Sequence, residues 1–232
     1  MFLRQTIRKK DGKVQSEAGY RLDPTKSPKW LDGLGPKGDK QPFVPILYEV
    51  DGDTLDDTEL AMFLVQLLVA GNETTRNALS GGLVAFSERP DQWARLRAEP
   101  ALVGTAVDEV LRWTTPVVYF MRTTTREVEV GGRTIPAGAP VVLHYLAANR
   151  DEAEFGPTAD RFDVGRSPNH HVAFGSGPHF CLGAALARIE LRAVLEALAA
   201  RVATVEPAGG VERSMSLVIA GVRRAPLVLG PA

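Results

Sequence analysis

The order of apolar and polar positions divides the chain into a polar first segment and a longer part with the periodicity of folded elements. In residues 1–45 only thirteen positions are apolar, and five prolines and five glycines interrupt them. A segment of this composition cannot bury enough apolar surface to offset the entropy lost on ordering. We therefore predict an extended or partly ordered arm over residues 1–45 and a folded region over residues 46–232.

The folded region begins with helical periodicity. Apolar positions predict one long helix from about Thr58 to Glu88, and Asp56 and Glu59 have the spacing of a capping box at its start. Pro90 and Pro100 each open a shorter predicted helix. The segment AALARIELRAVLEALAARV, which follows residue 183, has the apolar spacing of a further amphipathic helix.

After Pro116 the pattern changes to short runs typical of strands. The segment EVEVGGRTI predicts a hairpin, because Gly131 and Gly132 can adopt the positive φ angles of a two-residue turn. The segment PVVLHYL predicts another strand, and residues 215–230 (MSLVIAGVRRAPLVLG) predict a terminal hairpin. Together the elements favour a mainly α fold with small β-sheets, of the α+β class.

Charge and composition narrow the environment and the partners. The net charge is −1, which gives no global reason to expect nucleic acid or an anionic membrane as a partner. Residues 1–45 carry a net charge of +5 and the remainder −6; a solvated tail is the simpler interpretation of this basic arm, and a surface for an acidic partner is the alternative.

Neither the first residues nor the most apolar run of the sequence predicts a membrane location. The most apolar run, LAMFLVQLLVAG, is too short to span a bilayer, and the first residues have no apolar signal region. One cysteine excludes an intrachain disulfide and favours a reducing compartment. We therefore expect a cytoplasmic protein with neither a membrane nor nucleic acid as partner.

That cysteine stands in the stretch FGSGPHFCLG, residues 174–183. A lone cysteine is most often a small buried apolar residue. Glycines around Cys181 permit close backbone approach, and the helix predicted to follow it favours a thiolate over a thiol. Nucleophilic catalysis would need a base and an orienting group, and beyond His179 no partner of this kind is evident. A thiolate can also bind a metal whose other positions are filled by another group, as a porphyrin fills four.

This stretch resembles the haem-binding loop of the cytochrome P450 family, in which phenylalanine, glycines, a basic residue and cysteine recur at the same spacing. The resemblance implies that Cys181 is the proximal iron ligand of haem b and that His179 contacts a haem propionate. It also implies that Phe174 shields the sulfur. The glycines of the pattern are Gly175, Gly177 and Gly183.

Further motifs agree with this family in their order. Glu109 and Arg112 lie three positions apart, so they share a helix face and can pair, although such pairs are common on helix surfaces. The resemblance makes them the Glu-x-x-Arg of the proximal core and makes Arg161, in ADRFD, the third member of that network. Arg122, in VVYFMRTTT, would reach the second propionate; the alternative is an exposed strand arginine.

The motif AGNETT, residues 70–75, lies in the middle of the long predicted helix. A glycine in a helix costs about 1 kcal/mol relative to alanine, so Gly71 needs a reason. The motif can simply mark where the helix reaches the surface. In the family this segment crosses the distal face of the haem, where Gly71 would leave room for dioxygen. Glu73 and Thr74 would be the acid and alcohol that relay protons for oxygen activation.

The resemblance covers about residues 46–232 and implies a truncated P450-like fold, from the long distal helix to the C-terminus, without the N-terminal half of family members. It implies a haem-thiolate monooxygenase that hydroxylates an apolar small molecule with electrons from a ferredoxin or flavoprotein. We expect the exposed side of the long helix to favour a homodimer or another chain that completes the pocket. The alternative function is a catalytically incompetent family member that binds haem weakly or not at all and acts as an interaction module.

Overall fold

The computed structural model describes residues 55–232 in full and, before them, the strands at residues 2–8, 14–21, 49–50 and 53–54. Most of the predicted arm over residues 1–45 therefore lies outside the described residues. Within it, β1 (Phe2–Arg8) pairs antiparallel with β2 (Val14–Arg21). Strand β3 (Glu49–Val50) pairs in the same way with β4 (Asp53–Thr54).

By internal contacts the chain divides into two compact units. The first comprises residues up to Leu68 together with Ser176–Phe180, and the second comprises Val69–Gly175 and Cys181–Ala232. The second unit contains the hydrophobic core and most of the candidate site residues.

The longest element is α1 (Asp57–Glu88), a helix of 32 residues. Its start has the predicted capping box. The Asp56 carboxylate accepts the N–H groups of Thr58 and Glu59 at 2.8 Å, and the N–H of Asp56 donates to Glu59 Oε2 at 3.1 Å. Three otherwise unpaired N–H donors are thereby satisfied, which fixes where the helix begins. The predicted bounds are confirmed to within one residue.

The remaining helices are α2 (Pro90–Ala98), α3 (Val103–Thr114), α4 (Tyr145–Ala148), α5 (Glu152–Phe155) and α6 (Ala184–Arg201). Three of them follow the predicted proline and apolar signals, and the two short helices α4 and α5 were not predicted; α4 takes Tyr145 and Leu146 from the end of the predicted strand PVVLHYL. Short 3₁₀ turns occupy Pro100–Leu102, Gly156–Thr158 and Gly177–His179. Among the described residues no helix is both long enough and apolar enough to cross a bilayer.

The sheets of the second unit are pairs of antiparallel strands. β5 (Tyr119–Thr123) pairs with β8 (Pro140–His144), and β6 (Val128–Val130) pairs with β7 (Arg133–Ile135). β9 (Val202–Pro207) pairs with β12 (Leu227–Pro231), and β10 (Glu212–Arg213) pairs with β11 (Val222–Arg224). The predicted hairpin at β6 and β7 is confirmed, with φ angles of 58° at Gly131 and 73° at Gly132.

The terminal hairpin predicted for residues 215–230 is wrong. Strands β11 and β12 follow each other closely, but each pairs with an earlier strand and not with the other. The reason is burial. Val202 and Val205 of β9 belong to the hydrophobic core, and Leu227 of β12 packs against that core. Pairing β12 with β9 therefore removes more apolar surface from water than a local hairpin would.

The core lies between the second half of α1 and helices α2, α3 and α6. Its aromatic residues pack edge to face, with the ring centroid of Phe86 lying 5.0 Å from that of Trp93 and 5.2 Å from that of Phe162. The indole N–H of Trp93 donates to the carbonyl oxygen of Val202 at 3.3 Å, so its polar atom is satisfied. The structure is therefore a mainly helical α+β fold with small sheets, as predicted.

Candidate functional site

The stretch around Cys181 forms a closed loop that presents its thiol to solvent. The N–H of Cys181 donates to the carbonyl oxygen of Phe174 at 3.0 Å, and the Cys181 carbonyl accepts the N–H of Ala184, where α6 begins, at 3.3 Å. Gly175 and Gly177 have φ angles of 69° and 70°, which side chains rarely allow. The Cys181 side chain is exposed. The loop thus reverses the direction of the chain between Phe174 and Cys181, and the thiol lies at its end.

Small and apolar residues surround this thiol along the sequence. A Cβ atom added at Gly183 would lie 4.0 Å from Cys181 Sγ, which is an ordinary contact, so the thiol alone does not require a glycine there. Leu182, Leu186 and Ile189, which follow the thiol, are all more than half exposed. His179 ends the 3₁₀ turn Gly177–His179, and its side chain is exposed.

The donor set fits a haem group. The described residues contain no group of three or more His, Cys, Asp or Glu side chains that could hold a metal ion by themselves. A metal bound by the exposed Cys181 thiol would therefore have to bring its other ligands with it, and a porphyrin supplies four nitrogen ligands. The exposed leucine and isoleucine side chains after Cys181 suit the apolar faces of such a macrocycle.

Arg122 lies on β5, where the residue is partly buried. Its Nη1 donates to the carbonyl oxygen of Met121 at 2.9 Å, and its guanidinium carbon lies 5.9 Å from the ring centroid of Phe120. Within the described part of the chain, no carboxylate forms an ion pair with it. This cation can therefore pair with an anionic group of a ligand.

Gly71, Glu73 and Thr74 lie within one turn of α1. A Cβ atom added at Gly71 would meet nothing within 4 Å, so no described neighbour explains a glycine in this helix. The Thr74 hydroxyl donates to the carbonyl oxygen of Ala70 at 2.7 Å, which leaves its oxygen free to accept a hydrogen bond. Glu73 is paired with Arg76 at 3.8 Å, and both side chains are well exposed.

Glu109 and Arg112 form a fully buried ion pair on α3. Arg112 Nε and Nη2 donate to the two carboxylate oxygens of Glu109, each at 2.7 Å. The remaining donors of Arg112 go to main-chain oxygens, at 2.7 Å for Asn149 and 2.8 Å for Ala159. The pairing predicted for these two residues is thus observed, with the hydrogen bonds that a buried charge pair requires.

The third arginine of this network is Arg166, and the prediction of Arg161 is wrong as far as the side chain is concerned. The Arg161 side chain is exposed, and the residue contributes its carbonyl oxygen, which accepts Arg112 Nη2 at 2.7 Å. The Arg166 side chain is buried, and its Nε donates to Glu109 Oε2 at 3.2 Å.

A signal for this assignment exists in the sequence. In ADRFDVGR the apolar positions Phe162 and Val164 alternate with polar ones, and both are buried. Continuing that period of two places Arg166 on the inner side and Arg161 on the outer side. The same network supports the thiol loop, because the side-chain oxygen of Asn149 accepts the N–H of Val172 at 2.8 Å.

A cavity of about 670 Å³ lies between α1, α6 and the β11–β12 segment. Gly71 and Thr75 line it, whereas Glu73, Thr74 and the thiol loop do not. The predicted acid and alcohol therefore face away from this cavity, and it is separate from the site around Cys181.

Comparison with known proteins gives a consistent family. A family model described as Cytochrome P450 matches residues 5–215. The chain is 43% identical over 176 residues to a steroid C26-monooxygenase of Mycolicibacterium smegmatis, covering 75% of this chain and 40% of that protein. It is 45% identical over 185 residues to a methyl-branched lipid omega-hydroxylase of Mycobacterium tuberculosis, covering 77% and 42%.

Solved structures agree. A Mycobacterium marinum cytochrome P450 in complex with pseudoionone superposes with a TM-score of 0.73 at 44% identity, covering 77% of this chain and 43% of that one. Cytochrome P450-153 from Novosphingobium aromaticivorans gives a TM-score of 0.74 at 36% identity, covering 81% and 48%. The chain thus spans less than half the length of each of these relatives.

Proposed function

The chain belongs to the cytochrome P450 family, and from this premise we propose that it is a haem-thiolate monooxygenase that hydroxylates an apolar small molecule. The observation that carries the proposal is the loop of Cys181, whose hydrogen bond to Phe174 and left-handed glycines present one exposed thiol directly before α6. The thiolate is the form of a cysteine that binds iron.

Each candidate residue has a task in this proposal. The Cys181 thiolate would hold the haem iron, and Arg122 and His179 would donate hydrogen bonds to the two propionates. Bound haem supplies the oxygen chemistry of the family. The Thr74 hydroxyl oxygen, which remains able to accept a hydrogen bond, would orient water, and the exposed Glu73 carboxylate would carry protons in from solvent.

We propose an apolar substrate. The curated relatives reported above are a steroid C26-monooxygenase and a methyl-branched lipid omega-hydroxylase, so both names point to lipid substrates. In this chain the residues after α3 would face the substrate. The main chain of Val117 forms a bridge to Ile219, and the N–H of Val118 donates to the oxygen of Val218 at 2.8 Å, so apolar residues from two segments meet there.

The chain needs partners for this reaction. We propose a ferredoxin or a flavoprotein as electron donor, because these are the usual electron donors of the family to which the chain belongs. We also propose that a second copy of the chain covers the exposed apolar side chains of α1, and that the protein works in the cytoplasm, where an exposed thiol stays reduced.

The decisive experiment is haem uptake by the purified chain. After addition of haemin, reduction and carbon monoxide, the wild type should show the strongly red-shifted Soret band of a thiolate-ligated iron. The Cys181→Ala variant should lack this band, because the chain has no other cysteine.

Thr74→Ala is the matched control. Thr74 lies on α1 and not in the thiol loop, so this variant should keep the red-shifted band. It should form less hydroxylated product per electron consumed, because the proton relay has lost its hydroxyl group. Absence of haem uptake by the wild type would overturn the enzymatic proposal and support the interaction-module alternative for the chain.

A further inference from the structure

Asp108 lies next to Glu109 on α3, but its hydrogen bonds go to residues outside the buried network of Glu109, Arg112 and Arg166. Its Oδ1 accepts Arg188 Nε at 2.8 Å and lies 3.3 Å from His171 Nε2. The three residues come from α3, from the segment before the thiol loop and from α6. The neighbouring carboxylates of Asp108 and Glu109 therefore bind different segments of the chain.

The hydrogen bonds fix the proton on His171. Its Nδ1 accepts a hydrogen bond from the N–H of Ala173 at 3.2 Å, so Nε2 carries the ring proton. The Nε2–H group therefore donates a hydrogen bond to the Asp108 carboxylate. Partial burial alone would raise the pKa of Asp108, but the hydrogen bonds from His171 and Arg188 and the positive charge of Arg188 outweigh it, and the pKa is lowered. The carboxylate is therefore ionised at neutral pH.

Phe174 lies between these groups and the thiol. Its ring centroid lies 5.8 Å from that of His171, and the guanidinium carbon of Arg188 lies 4.7 Å from the Phe174 ring centroid. The carbonyl oxygen of the same residue accepts the N–H of Cys181 at 3.0 Å. A continuous path of contacts therefore runs from the Asp108 carboxylate to the main chain of Cys181.

We propose that Asp108, His171 and Arg188 form a loop clamp that positions Phe174 and, through its carbonyl oxygen, Cys181. The three are positioning residues, because none of them contacts the thiol directly in the described hydrogen bonds and ion pairs. The existence of the loop clamp is inferred from the observed contacts alone. Its purpose, which is to hold the Cys181 sulfur in place for the haem iron, rests on the proposed function.

Hydrogen exchange at single amides of the unliganded chain tests the clamp. Asp108→Asn removes the charge that holds both partners and should speed exchange about tenfold at Cys181, whose N–H closes the loop, and at Gly175, whose N–H donates to Val172 at 2.8 Å. Exchange at Leu191, in the core of α6, should stay at the wild-type rate. A rise of equal size at Leu191 would show a general loss of stability and overturn the clamp, as would unchanged exchange at Cys181.

Two further variants separate charge from geometry. Arg188→Lys keeps the positive charge but loses the planar group over Phe174, so we expect a smaller rise, about threefold, at Cys181. Arg192→Gln is the matched control, because it breaks an exposed ion pair with Glu196 on the same helix. It should leave the Cys181 amide unchanged, and a rise there equal to that of Asp108→Asn would contradict the clamp.

A spectroscopic signature links the clamp to the sulfur. With haemin, reductant and carbon monoxide, Asp108→Asn should show a smaller fraction of red-shifted Soret band than Arg192→Gln at equal haem content. Equal fractions in the two variants would overturn the positioning role. If the wild type takes up no haem, the proposed function fails, whereas the exchange experiment still decides whether the clamp exists.

Discussion

At the scale of single residues, the buried carboxylate of Glu109 shows what a motif identifies and what it misses. Its two oxygens accept hydrogen bonds from Arg112 at 2.7 Å and from Arg166 Nε at 3.2 Å, all within a region closed to solvent. Removing one partner from such a site leaves an uncompensated charge, whereas an exposed side chain nearby contributes little.

We therefore expect the two arginines of ADRFDVGR to behave differently. Arg166→Ala should lower the free energy of unfolding by about 3 kcal/mol, because part of the charge on Glu109 is left unpaired in the interior. Arg161→Ala should change it by less than about 0.5 kcal/mol, because the network uses only its carbonyl oxygen. Urea unfolding of both variants decides the point, and equal losses would show that Arg161 contributes through its side chain.

The sequence predicts such a site only in part. The spacing of Glu109 and Arg112 predicts a pair because residues three apart share a helix face. Arg166 approaches Glu109 across 57 positions, so its role depends on how a non-helical segment turns. The clamp of Asp108, His171 and Arg188 was missed for the same reason, since its members come from three separate segments.

At the scale of elements, two glycines of α1 differ in whether a packed neighbour leaves room for a side chain. A Cβ atom at Gly82 would lie 2.9 Å from Val110 Cγ1, so this glycine lets α1 and α3 approach closely. A Cβ atom at Gly71 would meet nothing within 4 Å. Packing therefore explains Gly82, whereas no described neighbour requires a glycine at position 71.

Alanine substitutions test this difference. Gly82→Ala should destabilise the chain by about 1–3 kcal/mol through overpacking against Val110. Gly71→Ala should stabilise it by about 0.5–1 kcal/mol, because alanine loses less entropy in a helix. Thermal or urea unfolding measures both, and a loss of stability in Gly71→Ala would contradict the open space found around this residue.

Elements whose signals are local were predicted well, and those set by distant pairing were not. The capping box at Asp56 and the turn at Gly131 and Gly132 are short-range chemistry, and both are observed. The terminal hairpin failed because β12 pairs with β9, more than twenty residues earlier, and the choice depends on which face of β9 enters the core. Burial of this kind is a property of the assembled chain and leaves no local pattern.

At the scale of the whole molecule, the first half of α1 carries apolar side chains that nothing in the described residues covers. Met62, Val65, Leu68 and Val69 are each more than half exposed, and Leu64 is nearly so. Leu64 and Leu68 lie four positions apart and therefore on one face of the helix. Contiguous exposed apolar surface of this kind favours association, and a second copy of the chain offers a matching face.

We expect the chain to sediment as a dimer at micromolar concentration. Leu64→Gln combined with Leu68→Gln should shift it towards monomer, because both helices of a symmetric interface lose the same side chains. The matched control is Val130→Gln with Val228→Gln, two comparably exposed apolar residues on strands β6 and β12. This control should remain dimeric. A monomeric wild type, or an equal shift in both double variants, would refute a second copy as the cover of α1.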